Sequence, residues 1–442
     1  MTYNLCHMEL STLRKNKINI HDYPYQEDIE NRLLMAEFST FDVEVLEEIL
    51  FSPLKVPLKK LSRSLEATIE DLLPVINKLE KTHLLVLEDD ILVVDKDKRK
   101  YFENEIQKFD EDFQPDMEYL QTLLKKVPIH SLPLWYSISR TSNNIFESIV
   151  EKYLLTPQVY QRYLMEVGNE DVILSSIIQD ILDSDDCKVY AEEIREKYHL
   201  TKESLEEYIL QLEFHFVASL SYAKVGKVWK EVITPFREWR DYLLFLKNNR
   251  PIPIGRPENF KEEEFPFIKE IASFLKKCKK EIKENSPFID KLLPIKFLQK
   301  KEDKLSITDI ASDWLTMDLE NQALYLYRHP FNRPSFSSPL NNEKNLREIE
   351  RSLKSFCSLG WINFDDYLQS ALISFHDETK IQLRKNGKTW KYTLPVYSDE
   401  EKAFIQTSVL DYLYELGLVS KGTKAGKAVF RITSFGETIL GN

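Results

Sequence analysis

The chain has 442 residues, 43% of them apolar, and its 72 acidic residues outnumber its 60 basic residues to give a net charge of −12. This length predicts two to four domains with packed cores. The overall negative field does not favour nucleic acid, so any DNA contact must use a local basic patch. Only 10 glycines argue against glycine-rich phosphate loops and a doubly wound fold.

Cysteine usage and hydropathy bear on the compartment. The wide spacing of the cysteines argues against a disulfide framework or a structural zinc site. No apolar run approaches the roughly 20 residues that span a bilayer, and the N-terminus lacks a basic-then-apolar signal. We therefore expect a soluble, cytoplasmic protein without membrane contact. The cysteines are Cys6, Cys187, Cys278 and Cys357.

In chain order, residues 1–40 are predicted to form an N-terminal arm, polar at first and helical near its end. Arg14, Lys15 and Lys17 lie together in it, and we interpret it as a docking arm. Residues 41–100 are predicted to form a first winged helix, in which Thr68 caps a helix with acidic residues in its first turn. Two apolar runs around an acidic turn, residues 84–94, would supply the β-wing.

Residues 55–87 occur twice in the chain. A shift of 133 positions, which places Lys55 on Lys188, superposes residues 55–87 on residues 188–220 without a gap. Nine residues are identical in this alignment, where average composition gives roughly two. The second copy therefore predicts a second winged helix, at residues 171–249, after a helical connector at 101–170. The identical pairs are Lys55/Lys188, Val56/Val189, Thr68/Thr201, Glu70/Glu203, Leu72/Leu205, Ile76/Ile209, Leu79/Leu212, Glu80/Glu213 and Leu87/Leu220.

Residues 250–304 are predicted to be a linker followed by a basic helical segment. Three prolines between Arg250 and Pro257 exclude a helix interior there. The segment after it is the most basic part of the chain, and it could be either a solvated helix face or an aid to DNA binding. The candidate DNA-binding residues of this segment are Lys276, Lys277, Lys279 and Lys280.

The C-terminal domain, residues 305–442, is predicted to end in a third winged helix. A long helix from Ser398 would stop at Gly417, and a hairpin with a Gly/Lys turn follows before a closing helix. The predicted fold class is thus mainly α with small β-wings: tandem winged-helix (helix-turn-helix) domains joined by helical segments.

Four strings in this last third resemble a known family: SITDIASDWL, SLGWINFDDYLQ, VLDYLYELGLVSKG and VFRITSFGETIL. They are similar to bacterial helicase-associated proteins that carry the domain found at the N-terminus of XPB-type helicases. The resemblance covers residues 305–440 and implies an accessory role near DNA or a helicase. It departs from any helicase because the chain has no motor; the Walker-like string at 422–428 has three residues between its glycines, where four are needed.

No constellation of residues with catalytic spacing is found, since HExxH, GxSxG and Cys/His signatures are missing and the histidines are scattered. We therefore predict a non-enzymatic protein without cofactor, metal ion or small-molecule substrate.

All three predicted recognition helices begin with acids, which would repel DNA phosphates. These acids could simply complement the helix dipoles, or they could bind a protein. The candidate protein-binding residues are Glu70, Asp71, Glu203, Glu206 and Glu207.

The third wing is basic and could straddle a phosphate backbone, although a solvated lysine hairpin fits the pattern equally well. Its candidate DNA-binding residues are Lys421, Lys424, Lys427 and Arg431. The sequence thus predicts an accessory or scaffold protein of a DNA-associated assembly. Such a protein would contact DNA weakly and independently of sequence, or bind a protein partner such as a helicase or transcription complex, or do both. The alternatives are a sequence-specific transcription regulator and a scaffold that binds proteins only.

Overall fold

A computed structural model describes residues 18–169, 171–226, 228–260, 264–277, 288–301, 304–328, 339–376, 380–387 and 389–441. The chain is mainly helical and carries several small antiparallel sheets, so the coarse fold class predicted from the sequence is confirmed.

The helices are mostly short. In chain order they are α1 (Tyr25–Met35), α2 (Thr40–Phe51), α3 (Leu58–Ser64), α4 (Ile69–Glu80), α5 (Lys96–Glu105), α6 (Met117–Leu124), α7 (Leu132–Trp135), α8 (Ile145–Ile149), α9 (Pro157–Gly168), α10 (Val172–Asp183), α11 (Ala191–Lys197), α12 (Lys202–Phe214), α13 (Arg237–Asn248), α14 (Pro266–Lys277), α15 (Ile289–Leu292), α16 (Asp309–Trp314), α17 (Leu319–Arg328), α18 (Glu343–Leu353), α19 (Phe364–Ser370), α20 (Asp399–Thr407), α21 (Leu413–Glu415) and α22 (Ser434–Gly441).

The strands, in chain order, are β1 (Lys55–Pro57), β2 (Leu85–Glu88), β3 (Ile91–Val94), β4 (Val189–Tyr190), β5 (Ala218–Val225), β6 (Val228–Pro235), β7 (Asn259–Phe260), β8 (Leu298–Lys301), β9 (Lys304–Ile307), β10 (Ile362–Asn363), β11 (Leu383–Asn386), β12 (Thr389–Tyr392), β13 (Val419–Lys424) and β14 (Lys427–Ile432). They form three sheets, ordered β1-β3-β2, β4-β6-β5 and β10-β14-β13-β7, and two hairpins, β8-β9 and β11-β12.

The chain folds into two compact units. Unit 1 comprises the described residues up to Leu244 together with Gln382–Tyr392, and unit 2 comprises Phe245–Ile381 and the described residues from Thr393 onward. The predicted C-terminal domain, 305–442, is therefore not continuous, because the β11-β12 hairpin belongs to unit 1. There the Tyr392 hydroxyl donates to the Leu154 carbonyl at 2.7 Å, and the Leu383 amide donates to the Leu155 carbonyl at 2.8 Å.

Three parts of the chain share one order of elements: a helix, a short strand, two helices and two strands, with the first strand paired to the last. In the third part the β11-β12 hairpin and the short helix α21 are inserted into this order. We call them module 1 (α2, β1, α3, α4, β2, β3), module 2 (α10, β4, α11, α12, β5, β6) and module 3 (α18, β10, α19, α20, β13, β14). Modules 1 and 2 lie in unit 1, and module 3 lies in unit 2.

The shift of 133 positions also relates the elements of modules 1 and 2. It carries α3 onto α11 residue for residue, and it carries the first residues of α4 and β2 onto those of α12 and β5. The identical threonines cap the two long helices: Thr68 accepts from the Asp71 amide and Thr201 accepts from the Ser204 amide. Such caps satisfy amides that the helix itself leaves unpaired, so both helices begin at the same place in the repeat.

A second contact recurs at the other end of these helices. The Leu87 amide of β2 donates to Glu80 at 2.9 Å, and the Leu220 amide of β5 donates to Glu213 at 3.4 Å. All four residues belong to identical pairs of the repeat. Because β2 and β5 are edge strands, each glutamate satisfies an amide on the free side of its sheet.

The core of unit 1 is rich in aromatic residues. Trp135 and Tyr136 are both fully buried, and the Tyr136 hydroxyl donates to the Phe214 carbonyl at 2.9 Å. In unit 2, one continuous core surrounds Trp314, Phe404 and Phe430, and apolar residues of α14, α17, α18 and α20 pack into it.

The proline-rich stretch that begins unit 2 is more than the linker that its sequence predicts. The Ile254 amide donates to the Trp361 carbonyl at 2.7 Å, and β7 pairs with β13 through Phe260 and Asn259. This stretch therefore adds an edge strand to the sheet of module 3.

The strings that carry the family resemblance form a tight backbone corner. The Thr433 hydroxyl donates to the Gly417 carbonyl at 2.7 Å and accepts from the Gly436 amide at 2.9 Å. Gly417 has a φ of +78°, which favours glycine. At Gly436 a Cβ atom would lie 2.1 Å from the Leu418 carbonyl oxygen, so only glycine fits. These residues thus have a structural role.

Substitution Gly436→Ala should destabilise unit 2 by about 2–4 kcal/mol, because the new methyl group would collide with backbone that cannot move away alone. Hydrogen exchange of the module 3 hairpin, followed by mass spectrometry, measures the loss. The matched control is Gly441→Ala in the same helix, where a Cβ atom meets nothing within 4 Å. Equal protection in the two variants would contradict the proposed corner.

Candidate functional site

The basic hairpin of module 3 places three of its four candidate cations on one face and the fourth on the other. Lys421 pairs with Phe430, whereas Arg431 pairs with Ser420, one position along the ladder. Neighbouring positions of a strand point to opposite faces of the sheet. Lys421 therefore lies on one face of the hairpin, whereas Arg431, Lys427 and Lys424 lie on the other, where Lys424 and Lys427 pair with each other at the turn.

Lys421 lies on the face of the hairpin that is directed toward Asp411 and Tyr414, in the helical segment before β13. Its ammonium is 2.7 Å from the Asp411 carboxylate and 4.7 Å from the centre of the Tyr414 ring. Both members of this ion pair are substantially exposed, so it contributes little to stability. It does offset most of the positive charge that Lys421 would present to a ligand.

Arg431 lies on the other face, over aromatic rings. Its guanidinium is 5.3 Å from the centre of the Trp361 ring, which meets Phe260 edge-on at 5.2 Å. Arg256 in turn lies 5.1 Å from the Phe260 ring. The arginines remain exposed, so this face presents two cations supported by aromatic surface.

The tip of the hairpin carries the most accessible positive charge. The Lys424 ammonium donates to the Gly255 carbonyl at 3.1 Å, and this neutral acceptor does not offset its positive charge. Lys427 is exposed, and its ammonium has no partner within the part of the chain that the structure describes. Glu258, which accepts from the Ala425 amide at 3.4 Å, is the acid nearest along this edge.

The second predicted basic patch is only partly described. Lys276 and Lys277 are exposed in the last turn of α14, where their charges complement the helix dipole. Lys279 and Lys280 lie outside the described residues.

The acidic residues predicted to bind protein have different environments. Glu70 and Asp71 are exposed at the start of α4, where Asp71 also closes a capping box with Thr68. On α12, Glu203 is exposed and Glu207 is partly buried. Glu206 is almost fully buried, so the prediction that it meets an external partner is wrong.

Glu206 is buried because the N-terminal arm covers it. Helix α1 packs against α12, and the fully buried Arg32 bridges two of its carboxylates. The Arg32 Nε atom is 2.8 Å from Glu206, and the Nη1 atom is 2.9 Å from Glu213. The described part of the arm, residues 18–40, thus docks within its own unit, and the acidic helix of module 2 binds a segment of the same chain. Arg14, Lys15 and Lys17 lie outside the described residues.

These ion pairs belong to a larger buried network. Lys108 is 2.9 Å from Glu105 and 3.5 Å from Glu213. Lys126 is 2.7 Å from Glu105 and 3.2 Å from Asp28. The hydroxyls of two tyrosines also donate to Asp28, that of Tyr101 at 2.6 Å and that of Tyr23 at 3.2 Å.

The pKa values of the network follow from burial and from these neighbours. Burial by itself raises the pKa of Glu105, but Lys108 and Lys126 outweigh it and hold the pKa well below its ordinary value. Burial also raises the pKa of Asp28, and Lys126 with Arg32 again reverses the shift. Glu105 and Asp28 are therefore charged in the folded protein and need their cations, whereas burial raises the pKa of Glu206 in spite of Arg32.

Sequence reasoning missed this network. Arg32, Lys108 and Lys126 stand in helical segments where a cation usually points to solvent. The available signal was the identical Glu80/Glu213 pair of the repeat, which marks a glutamate with a structural task at that position.

Comparison with family models, with curated proteins and with solved structures finds no match to this chain. Among the described residues, none of the helices combines the length and the apolar composition needed to cross a membrane. The same residues contain no cluster of three metal-ligating side chains.

Substitution Arg32→Ala should destabilise unit 1 by about 3–5 kcal/mol, because Glu206 would be left buried without a cation and Glu213 would keep only Lys108, at 3.5 Å. Chemical denaturation measures the loss, and hydrogen exchange should show α1 released first. The control is Arg195→Ala, which removes an exposed ion pair with Glu192 and should leave the transition unchanged. A stable Arg32→Ala protein with α1 still protected would refute the role of the bridge.

The pH dependence of unit 1 should reveal two further carboxyls. Burial raises the pKa of Glu231 to about 7, with help from the neighbouring Glu206, and burial also raises the pKa of Glu238 to about 7. A carboxyl with a raised pKa in the folded state binds protons that the unfolded chain releases, so it costs stability as the pH rises from about 4.5 to about 7.

The test compares the wild type with the variant Glu231→Gln/Glu238→Gln by chemical denaturation between about pH 5 and about pH 8. The variant should gain stability relative to the wild type as the pH rises to about 7, and the difference should then level off. His215 acts in the opposite direction in both proteins, because burial lowers its pKa to about 4. A difference that does not change with pH would exclude these two carboxyls as the cause.

Proposed function

We propose that the protein is a non-enzymatic accessory or scaffold protein of a DNA-associated assembly, built from three winged-helix modules. The proposal is supported by the order of elements that modules 1, 2 and 3 share, in which the first strand pairs with the last. A three-helix core followed by a β-hairpin is the arrangement of winged-helix domains. The resemblance of residues 305–440 to helicase-associated proteins suggests a helicase or a transcription complex as the setting.

The helices that would read DNA bases are poorly suited to that task. In module 2, α12 lies beneath α1, so it cannot enter a major groove while the arm is docked. In module 1, α4 opens with the exposed acids Glu70 and Asp71, which would repel phosphates. These features favour an accessory protein over a sequence-specific transcription regulator.

Contact with DNA, in this proposal, is weak and independent of sequence, and it uses the tip of the module 3 hairpin. The observation that carries it is the pairing of Lys424 with Lys427 at the turn, where both charges are retained. Two ammonium groups at one turn can bind adjacent phosphates but have no geometry for base recognition. Arg431, on the aromatic-supported face, would extend the contact, and Lys421 would add little because Asp411 pairs with it.

A scaffold that binds only proteins is the second candidate. It is favoured by α4, because its acids Glu70 and Asp71 are exposed and no segment among the described residues covers them as α1 covers α12. DNA binding and protein binding use different modules, so the two functions can be tested separately.

The DNA contact predicts a specific salt dependence. Fluorescence anisotropy with unrelated labelled duplexes over a salt series should give similar affinities for all sequences. In the variant Lys424→Gln/Lys427→Gln, the slope of log K against log salt should fall by about 1.8, because each phosphate that the protein no longer neutralises removes about 0.9 from the slope. The variant Lys421→Gln should reduce the slope by less than about 0.4, since Asp411 already offsets its charge.

The matched control is Lys59→Gln/Lys60→Gln, which removes the same charge from exposed positions on α3 and should leave the slope unchanged. An equal reduction of the slope in the control would show that only the net charge matters. Absence of DNA binding by the wild type at low salt would reject the DNA contact and leave the protein-only scaffold.

A further inference from the structure

The repeat allows the surfaces of modules 1 and 2 to be compared residue by residue. On module 2, one face of α12 and the adjoining edge of β5 are fully covered. On module 1, the same shift of 133 positions identifies the counterpart, which we call the α4–β2 face. Its residues Leu73, Asn77, Glu80 and Val86 correspond to Glu206, Leu210, Glu213 and Ser219.

What covers the module 2 face is known in detail. Helix α1 packs on α12, and residues 106–109 pack along β5, where Phe109 stacks on Tyr222 at 4.0 Å. As a result Leu210, Glu213 and Ser219 have no exposed surface. The cation that fixes the helix is Arg32, which reaches Glu213.

The α4–β2 face is open by comparison. Val86 is 55% exposed, although it occupies the position of the fully buried Ser219. Asn77 is exposed, and Leu73 and Glu80 are partly exposed. An exposed aliphatic strand residue and a partly exposed leucine on the adjoining helix form the kind of surface that a second helix would bury.

The chemistry of the open face specifies its occupant. Glu80 accepts from the Leu87 amide as Glu213 accepts from Leu220, but within the described residues no lysine or arginine pairs with Glu80. Leu73 stands at the position that Glu206 occupies in module 2. A helix that binds the α4–β2 face therefore needs a cation for Glu80 only, whereas α1 provides one for two carboxylates. It also needs more aliphatic surface, to cover Leu73. The exposed acids Glu70 and Asp71 at the start of α4 favour a partner with net positive charge.

We propose that the α4–β2 face binds an amphipathic helix of a partner protein, in the way that α12 binds α1. The helix presents an arginine to Glu80 and aliphatic side chains to Leu73 and Val86. This inference deepens the scaffold part of the proposed function and does not depend on the DNA contact. Helix-in-groove docking with one charged anchor is a common mode of peptide recognition.

The probe is a labelled peptide of residues 22–38 with the substitution Asp28→Leu. In the chain Asp28 is held by Lys126, Tyr101 and Tyr23, which belong to the covered site, so leucine suits the apolar α4–β2 face better. Anisotropy with the full chain should show saturable binding below about 1 mM peptide. A second peptide with the added substitution Arg32→Glu should bind at least about tenfold more weakly.

Protein variants locate the bound peptide. Val86→Glu places a carboxylate in the apolar contact and should weaken binding about tenfold, while Glu80→Gln keeps an acceptor for the Leu87 amide and should weaken it about fivefold. The control Val225→Glu alters an exposed valine on the hairpin of module 2 and should leave binding unchanged. Thermal unfolding confirms that all three variants are folded.

Three results would overturn the proposal. Binding that Val86→Glu does not weaken would mean that the peptide exchanges with α1 on α12 or adheres elsewhere. No saturation up to about 1 mM peptide would remove the helix as the occupant. Sedimentation that shows self-association of the wild type, abolished by Val86→Glu, would assign the face to a second copy. None of these results alters the salt series with duplex DNA, so the two proposals fail independently.

Discussion

The structure of unit 1 depends on a single buried arginine. Arg32 has no exposed surface and lies between two carboxylates of α12, 174 residues away for Glu206 and 181 for Glu213. Taking three charges out of water is costly, and mutual attraction repays the cost only when each partner is present. The buried position of α12 is therefore tied to the docking of α1, which supplies the cation of Glu206 and one of the two cations of Glu213. Lys108 and Lys126 extend the same dependence to the segments that follow module 1.

The bridge also explains how two related modules acquire different surfaces. Both keep the glutamate that satisfies an edge amide, Glu80 or Glu213, since that contact belongs to the module itself. Only module 2 receives a cation from the arm. Its helix α12 and its edge strand β5 are therefore covered, and Glu206 points into the interior. Module 1 keeps the same frame with its face open. The covered face of module 2 can therefore be compared directly with the open face of module 1, because the two modules are copies of one repeat.

In module 3, backbone geometry rather than charge determines the form of the site. Gly417 and Gly436 allow the helix end and the closing helix to approach the hairpin, and Thr433 ties them together. These contacts hold the base of the hairpin, and the alternation of its strands separates Lys421 from the other three cations. Asp411 offsets Lys421 on one face, Trp361 supports Arg431 on the other, and Lys424 and Lys427 meet at the tip. Binding capacity is thereby concentrated at the turn.

Local sequence signals were enough to predict the capped starts of α4 and α12, the hairpin turns and the shift that relates two modules. Caps, periodicity and turn residues act over a few positions, so they can be read without the fold. The sequence also located the basic turn at Lys424 and Lys427. Three features became visible only in the folded chain: Glu206 is buried against Arg32, β7 adds a strand to the sheet of module 3, and β11 and β12 belong to unit 1. Each of these depends on partners far apart in the chain, and long-range pairing is set by packing, which no local pattern encodes.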